Sequence, residues 1–507
     1  MTIPDHDANS LLEDTAGRRP DDTFLLYEDP DGKLIEISYA EQVTRAVTVA
    51  SVLTAQGIRP DDRVLLIMGN RPEFLDVWFA CGRIGAVVVP VNPASTSAET
   101  RHVWKASRAT LAVVDHSSRG AVASADIRSI TPSDLSAAPD QVSQEPHRAR
   151  SGLASIMFTS GTTSKPKGVR VTHANYVRVG TFMAEHLAMA RHDRWLVTLP
   201  LFHANAQYYC LMSALARGAS IALTSRFSAS QWPRQARTMQ ATLASLFAAP
   251  IRMILARSTP TPDDDASDLR LVLFAQNVSD EQAQEFERRF GTRLVQLYGM
   301  TETVLPPFIN PPDDNRRWDS VGRQNPAFDI ALLDDGKPVG PGVVGKLAIR
   351  GRPGIDLTDG YDDDPQQVSA LADGWLHTGD ILRVDGEYAY FVDRSKDMIK
   401  RAGENIAATE IERVLNAHPA VLESAVHGVP DEVYDEAIVA HVVLRPNVSA
   451  SEAELVDWCQ SRLSSFKTPS QIVVRSGLPR TSVGKIRKDV LRAQASSDGV
   501  CDQPTTP

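Results

Sequence analysis

One pattern constrains this chain more than any single residue: short runs rich in Val, Leu and Ile recur between segments of helical periodicity. Arg63 to Met68 (RVLLIM), Ala86 to Val91, Leu111 to Val114, Trp195 to Leu199, Ala219 to Leu223, Leu271 to Phe274 and Arg293 to Gln296 are the strand candidates. Ser38-x-x-Glu41 predicts a capping box opening a helix that ends at Gly57. Asn70 and Pro72 predict the cap and first turn of a helix through Phe74, Val77 and Trp78. A strand followed by a helix and a second strand needs a crossover, so the pairing expected is parallel and the fold class is α/β.

The pattern changes twice. From Pro338 to Val392, Gly and Asp punctuate β-prone runs such as Lys346 to Ile349 and Tyr388 to Val392, which predicts a β-rich subdomain. After the charged stretch Asp393-Arg394-Ser395-Lys396-Asp397 a small α+β domain is expected. In it Thr409-x-x-Glu412 and Ser451-x-x-Glu454 cap helices, and Val421 to Val429 and Ala437 to Leu444 form strands. The expected organisation is a large domain over 1–396, a small mobile domain over 397–493 and a flexible tail over 494–507. His116 to Arg150, rich in Ser, Ala, Pro and Asp, reads as a surface excursion.

Composition excludes several classes. The chain has 507 residues, 42% of them hydrophobic, enough for several cores. Its 53 Lys and Arg against 63 Asp and Glu leave a net charge of −10, which repels polyanions, so neither nucleic acid nor an anionic membrane is an expected partner. Cys81, Cys210, Cys459 and Cys501 are far apart and form no C-x-x-C pair, so neither a disulfide framework nor a zinc site is expected. The N-terminus lacks a basic start and apolar core, and no apolar run approaches the roughly 18 residues of a membrane span, which points to a cytoplasmic protein.

Four segments carry candidate chemistry. Thr159-Ser160-Gly161-Thr162-Thr163-Ser164-Lys165-Pro166-Lys167-Gly168 lies between two β-like runs and can offer backbone N–H groups, hydroxyls and positive charge to a polyphosphate. Pro166 and Gly168 break the G-x-x-x-x-G-K-[ST] spacing, so a P-loop NTPase is disfavoured, and alone the segment also reads as an ordinary soluble turn. Tyr298-Gly299-Met300-Thr301-Glu302 follows a strand, where open α/β sheets place ligands. Asp380, in His377-Thr378-Gly379-Asp380, reads equally as a ribose-binding carboxylate or a turn cap. Pro479 to Lys488 (PRTSVGKIRK) places Lys485 directly after Gly484.

In this order the segments resemble the adenylate-forming superfamily of acyl-CoA synthetases, peptide-synthetase adenylation domains and luciferases, from about residue 20 to 492. Leu273 to Asp280 (LFAQNVSD), Arg316 to Arg323 (RRWDSVGR) and Met398 to Asn405 (MIKRAGEN) look most like crotonobetaine/carnitine-CoA ligases. The resemblance implies a carboxylate attacking ATP to give acyl-AMP, then CoA displacing AMP, with Mg²⁺ as cofactor. It implies that Thr159, Ser160, Gly161, Thr162, Thr163 and Lys167 hold phosphates and that Glu302, with Thr162, ligates the metal. Gln276, Asn277, Tyr298, Gly299, Met300 and Thr301 then line the nucleotide region, while Asp380 and Arg394 bind ribose. Lys485 bridges carboxylate and α-phosphate, His203 gates or binds the acid, Gly403, Glu404 and Asn405 face CoA, and Asp397 is the hinge about which the small domain turns. A homodimer stays open.

Three positions depart from the family pattern. Ser164 stands where the phosphate loop has Gly, Ala275-Gln276-Asn277 replaces a Gly-Gly-Ala type segment, and Asp393 replaces the Gly before Arg394. Pro306-Pro307 stiffens a wall of the implied acyl pocket. Rival readings are a relative that thioesterifies a preformed acyl-AMP, an enzyme loading a carrier protein, and a non-catalytic nucleotide binder.

Overall fold

The computed structural model describes residues 7–136, 152–159, 166–261, 264, 268–362, 374–401, 404–431, 434–481 and 485–497. Its chain is α/β, with a large N-terminal domain built on two sheets and a small C-terminal domain built on a third.

A six-stranded sheet runs Ser129–Ile130, Leu111–Val114, Arg63–Ile67, Val87–Val91, Leu153–Thr159 and Lys167–Thr172 across its width. All neighbours are parallel except the last two strands, whose antiparallel register sets Thr159 opposite Lys167. The ends of the hydroxyl- and lysine-rich segment are thereby held together by sheet hydrogen bonds.

The second sheet has fourteen strands. Thr23–Glu28, Ser220–Thr224, Arg194–Val197, Leu243–Phe247, Leu271–Ala275 and Arg293–Tyr298 form a parallel block. Antiparallel strands continue from it through Phe308–Ile309, Gly322–Gln324, Tyr388–Arg394 and Leu376–Asp385. The β-rich region is therefore an extension of the main sheet. Its strands carry Asp380 and Arg394 to the C-terminal end of the parallel block.

Helices cover these sheets as the apolar patterns require. Trp78 packs edge-on against Phe79 and Tyr176, which in turn meets Tyr208, in the largest core. In the small domain, Val421–Asp431 and Asp435–Leu444 form a long hairpin, with Gln471–Arg475 parallel to the second strand. Ile399, Ile411, Leu415, Val426, Ile438 and Leu455 belong to its separate core.

The Ser38 and Ser451 capping boxes form as the spacing predicts, heading Tyr39–Ala55 and Glu452–Gln460. Several local expectations need correction. Arg71, not Asn70, precedes helix Pro72–Ile84; the Asn70 amide instead donates to the carbonyls of Leu199 and Thr224, tying two sheet ends together. Within His116 to Arg150, Ser129–Ile130 adds an edge strand to the first sheet, and residues 137–151 lie outside the described residues. Thr409 does not cap its helix: Ala408–Asn416 starts after Ala407, and the Thr409 hydroxyl donates to the Val392 carbonyl. Helix Lys488–Ser497 continues past Gln494, where the flexible tail was expected, and Ala495 is buried against Val429 and Val439. Strand Leu243–Phe247 was not foreseen, because its Ala-rich flanks also suit a helix.

Candidate active site

Parallel strands end together, so the loops that follow them share one edge of the sheet. Phe247, Ala275 and Tyr298 are the last residues of three such strands. Gln276, just past Ala275, takes φ +73°, and its carbonyl accepts from the Gln296 amide, which also donates to the Asn277 side chain. Both Gln276 and Asn277 are exposed at this edge.

After Tyr298 the chain turns through Gly299 to Thr301. A side chain at Gly299 would come within 2.7 Å of the Tyr209 hydroxyl, so any larger residue here would displace Tyr209. The Met300 N–H donates to Thr303 Oγ1 at 3.1 Å, and the Tyr208 hydroxyl donates to the Thr301 carbonyl at 3.4 Å. Val304 is held at φ +54°, a left-handed conformation that a β-branched residue rarely adopts, so strain is stored beside Glu302. Tyr208 and Tyr209 come from a π-helical turn over Ala206–Leu211, just after His203, and such turns recur at functional sites.

Two buried carboxylates define the centre. Glu302 is 6% exposed, and its Oε1 accepts from the Tyr361 hydroxyl at 3.0 Å. Burial pushes its carboxyl above the ordinary range, against the opposing pull of Tyr361, Lys485 and Thr159. Asp380 is 7% exposed, accepts from the Tyr298 hydroxyl at 2.6 Å and pairs with Arg394 at 3.3 Å. Burial raises its pKa as well, with Arg394 the main opposing charge.

Lys485 reaches this centre from the small domain. Its Nζ lies 5.7 Å from the centre of the Phe247 ring. Desolvation, followed by the repulsion of Arg394, pushes it down to about 8, while the charges of Asp380 and Glu302 act the other way. By accessible surface Lys485 is exposed, so water reaches the residue although protein groups crowd its ammonium. His203 lies within the field of the same lysine; burial and that charge push its imidazole down to about 3, so it is neutral at physiological pH. Its ring also lies 4.7 Å from that of Phe202.

The structure thus gathers Thr159, Tyr298, Glu302, Asp380, Arg394, Lys485 and His203. Lys167 enters through Tyr361, whose ring centre is 5.3 Å from Nζ. Glu404 and Asn405 are not part of this group: they are exposed on the hairpin that Glu404–Ile406 makes with Ile399–Arg401. Asp397 pairs with Arg492 at 2.6 Å. Ser160, Gly161, Thr162, Thr163, Ser164, Lys165 and Gly403 lie outside the described residues. Sequence reasoning missed Tyr361 and Phe247. A Gly360-Tyr361 pair carries no motif signal, and Tyr361 is brought in by a bridge to Val169.

An oxygen-rich site with a buried carboxylate and a neighbouring hydroxyl suits a hard divalent cation. Mg²⁺ commonly takes one or two carboxylates plus substrate phosphates, and the buried Glu302 carboxylate is a ligand of that kind. No helix among the described residues is long and apolar enough to cross a membrane.

Residues 12–361 match the family described as AMP-binding enzyme, and 410–485 match the AMP-binding enzyme C-terminal domain. The chain is 34% identical over 509 aligned residues to a crotonobetaine/carnitine–CoA ligase of Salmonella agona (strain SL483), covering 95% of this chain and 98% of that protein. It superposes on ATP-bound MatB from Rhodopseudomonas palustris with a TM-score of 0.86 at 26% identity, covering 97% of this chain and all of that one. The o-succinylbenzoate CoA synthetase of Bacillus subtilis, in complex with ATP and magnesium ion, gives 0.84 at 27% identity, covering 96% of this chain and 99% of that one. The same synthetase has been solved with its acyl-adenylate intermediate.

Proposed function

The chain belongs to the AMP-binding enzyme family, and from that premise we propose the residue roles by which it acts as an acyl-CoA synthetase. It activates a carboxylic acid with ATP and transfers the acyl group to CoA. The observation that carries the assignment of roles is the position of Lys485, a small-domain lysine set among Glu302, Asp380, Arg394 and His203 of the large domain.

In the first half-reaction a carboxylate oxygen attacks the α-phosphorus while the bond to the pyrophosphate oxygen breaks, giving acyl-AMP and pyrophosphate. The CoA sulfur then attacks the acyl carbon and AMP leaves. Neither step needs a protein nucleophile, so rate enhancement rests on positioning and on offsetting charge. Lys485 bridges the acid carboxylate and the α-phosphate. Asp380, fixed by Tyr298 and Arg394, holds the ribose hydroxyls. Lys167, with Thr159 through Thr163, cradles the β- and γ-phosphates. Glu302 and Thr162 would hold Mg²⁺, which when bound offsets the charge of the triphosphate. His203, being neutral, contacts the acid through hydrogen bonding and packing rather than as a cation.

Transfer to CoA calls for the other face of the small domain. Ahead of helix Lys488–Ser497, Arg480 forms an antiparallel bridge with Ile486 and an ion pair with Glu423, near one end of the long hairpin. The Glu404–Asn405 hairpin meets the opposite end, where Arg401 pairs with Asp435. From Glu423 to Asp431 is eight residue steps of the same strand, roughly 26 Å at about 3.3 Å per step. Lys485 and Glu404 therefore do not serve one reacting centre in a single orientation. Residues 397–493 turn about Asp397 between the two steps, bringing Gly403, Glu404 and Asn405 to CoA.

Acid-dependent exchange of pyrophosphate into ATP, with Mg²⁺ and a panel of small, aromatic, polycyclic and quaternary-ammonium acids including crotonobetaine and carnitine, tests the first step. Lys485→Ala should lower this exchange at least about 100-fold yet spare thioester formation from supplied acyl-AMP. Equal loss of both refutes the role given to Lys485. Exchange without thioester formation from free CoA would indicate a carrier-protein acceptor, and thioester formation without exchange would indicate a supplied adenylate.

A further inference from the structure

Asp393 precedes the ribose-pairing Arg394 and has no part in the chemistry above, yet it is among the most deeply buried carboxylates of the chain, at 1% exposed. One carboxylate oxygen accepts from the Arg394 N–H at 2.7 Å. The other accepts from the N–H of Thr409 at 3.2 Å, in the first turn of helix Ala408–Asn416. That helix has no side-chain cap of its own, since Ala407 stands at the capping position. A residue before the hinge therefore satisfies an N–H group at the start of a helix beyond it. The Thr409 hydroxyl donates to the Val392 carbonyl, doubling the connection.

The second link is electrostatic. Lys488, three residues past Lys485, pairs with Glu412 at 2.7 Å and attracts the Asp393 carboxylate more strongly than Glu412 repels it. Glu412 also accepts from the Val426 N–H, so Lys488 is held to the body of the small domain. Nearby, Asp397 pairs with Arg492. Asp393 thus engages the small domain at two places far apart in sequence, the helix 408–416 and the segment that presents Lys485. A turn about Asp397 carries Thr409 and Lys488 away from Asp393, which stays on strand Tyr388–Arg394.

We propose that Asp393 is a positioning residue that holds the small domain in the orientation with Lys485 at the reacting centre, favouring acid activation at the expense of transfer to CoA. This inference rests on the two-orientation reading above. A bond made in only one of two orientations shifts their populations by its differential strength, and for one charge-assisted contact of this kind a shift of about fivefold is expected.

The test measures the half-reactions separately in the full-length protein. Asp393→Asn keeps the shape and removes the charge. It should slow acid-dependent pyrophosphate exchange and speed single-turnover thioester formation from synthetic acyl-AMP and CoA, the two factors multiplying to about fivefold. Thr409→Val, which loses only the bond to Val392, should split the two steps in the same direction by less, and carries the test should the first variant not fold. A loss in both half-reactions, or a change in neither, overturns the proposal, because damaged folding slows both. An assay that needs no turnover runs alongside. Tryptic cleavage at Lys396, Lys400 or Arg401 should accelerate in Asp393→Asn, and unchanged cleavage also overturns the proposal. Should wild type be silent in both half-reactions, the ligase reading fails while cleavage still decides the clamp.

Discussion

A lysine is useful to the first half-reaction only while it carries its proton, and Lys485 is pushed down to about 8 by desolvation and by Arg394. The sign follows directly: below pH 8 the ammonium predominates, and above it the charge is lost. The kcat/KM for pyrophosphate exchange, which reports the free enzyme, should therefore fall as pH rises through about 8. Lys485→Arg should lack that alkaline limb whatever its absolute rate, since a guanidinium stays protonated there. An unchanged limb in the arginine variant would assign the titration to another group. At this scale the sequence was legible where chemistry sits in contiguous motifs: Glu302, Asp380, Arg394 and Lys485 were each named from short segments and lie together. Tyr361 and Phe247 were not, because only sheet pairing and domain docking bring them there. His203 was legible by position but not by state, since its neutrality is set by burial and by a lysine 282 residues away in the chain.

Elements show where local signals compete with distant ones. Thr409-x-x-Glu412 has the spacing of a capping box, yet its hydroxyl is drawn to Val392 and its N–H to Asp393. Ser38 and Ser451 have no such competitor, and their boxes close as their spacing predicts. The β-rich region was legible as strands but not as an extension of the main sheet, because hydrogen bonding between segments far apart leaves no periodic trace. That extension passes through strand Gly322–Gln324, where Gly322 adopts φ +104° and a Cβ would sit 2.0 Å from the Ile309 carbonyl carbon. Neither the angle nor the space admits a side chain. Gly322→Ala should cost at least about 2 kcal/mol, read as a lower urea midpoint, and should weaken nucleotide binding by shifting the strands that carry Asp380 and Arg394. Wild-type stability in this variant would mean that the junction is more pliable than its contacts indicate.

Across the whole molecule, the cores of the two domains are built from different residues, so they need not melt together. The small domain carries an acid-sensitive pair in its hairpin. His427 and His441 are buried with their Nε2 atoms 3.0 Å apart. His427 Nδ1 faces the Gly428 carbonyl and must donate, whereas His441 Nδ1 accepts from Arg475, so the proton between the rings belongs to His441. Every ring nitrogen is thus satisfied in the neutral form, and burial pushes both imidazoles down to about 4. The facing charges of Arg475, Arg492 and Lys488 oppose protonation, and Asp397 only partly offsets them. With folded pKa values below the unfolded value of 6.5, the unfolded chain binds more protons between these limits. Their contribution is complete above pH 6.5 and is lost as pH falls toward 4, by up to about 1.4 kcal/mol per pH unit for each histidine. Calorimetry should resolve two transitions, and lowering pH from 7 to 5 should move the small-domain transition down further than the other. In a His427→Asn, His441→Asn variant that extra acid shift should disappear even if stability at pH 7 is lower. A single transition with the same acid slope in both proteins would show instead that domain docking, and not the histidine pair, governs how the small domain is lost.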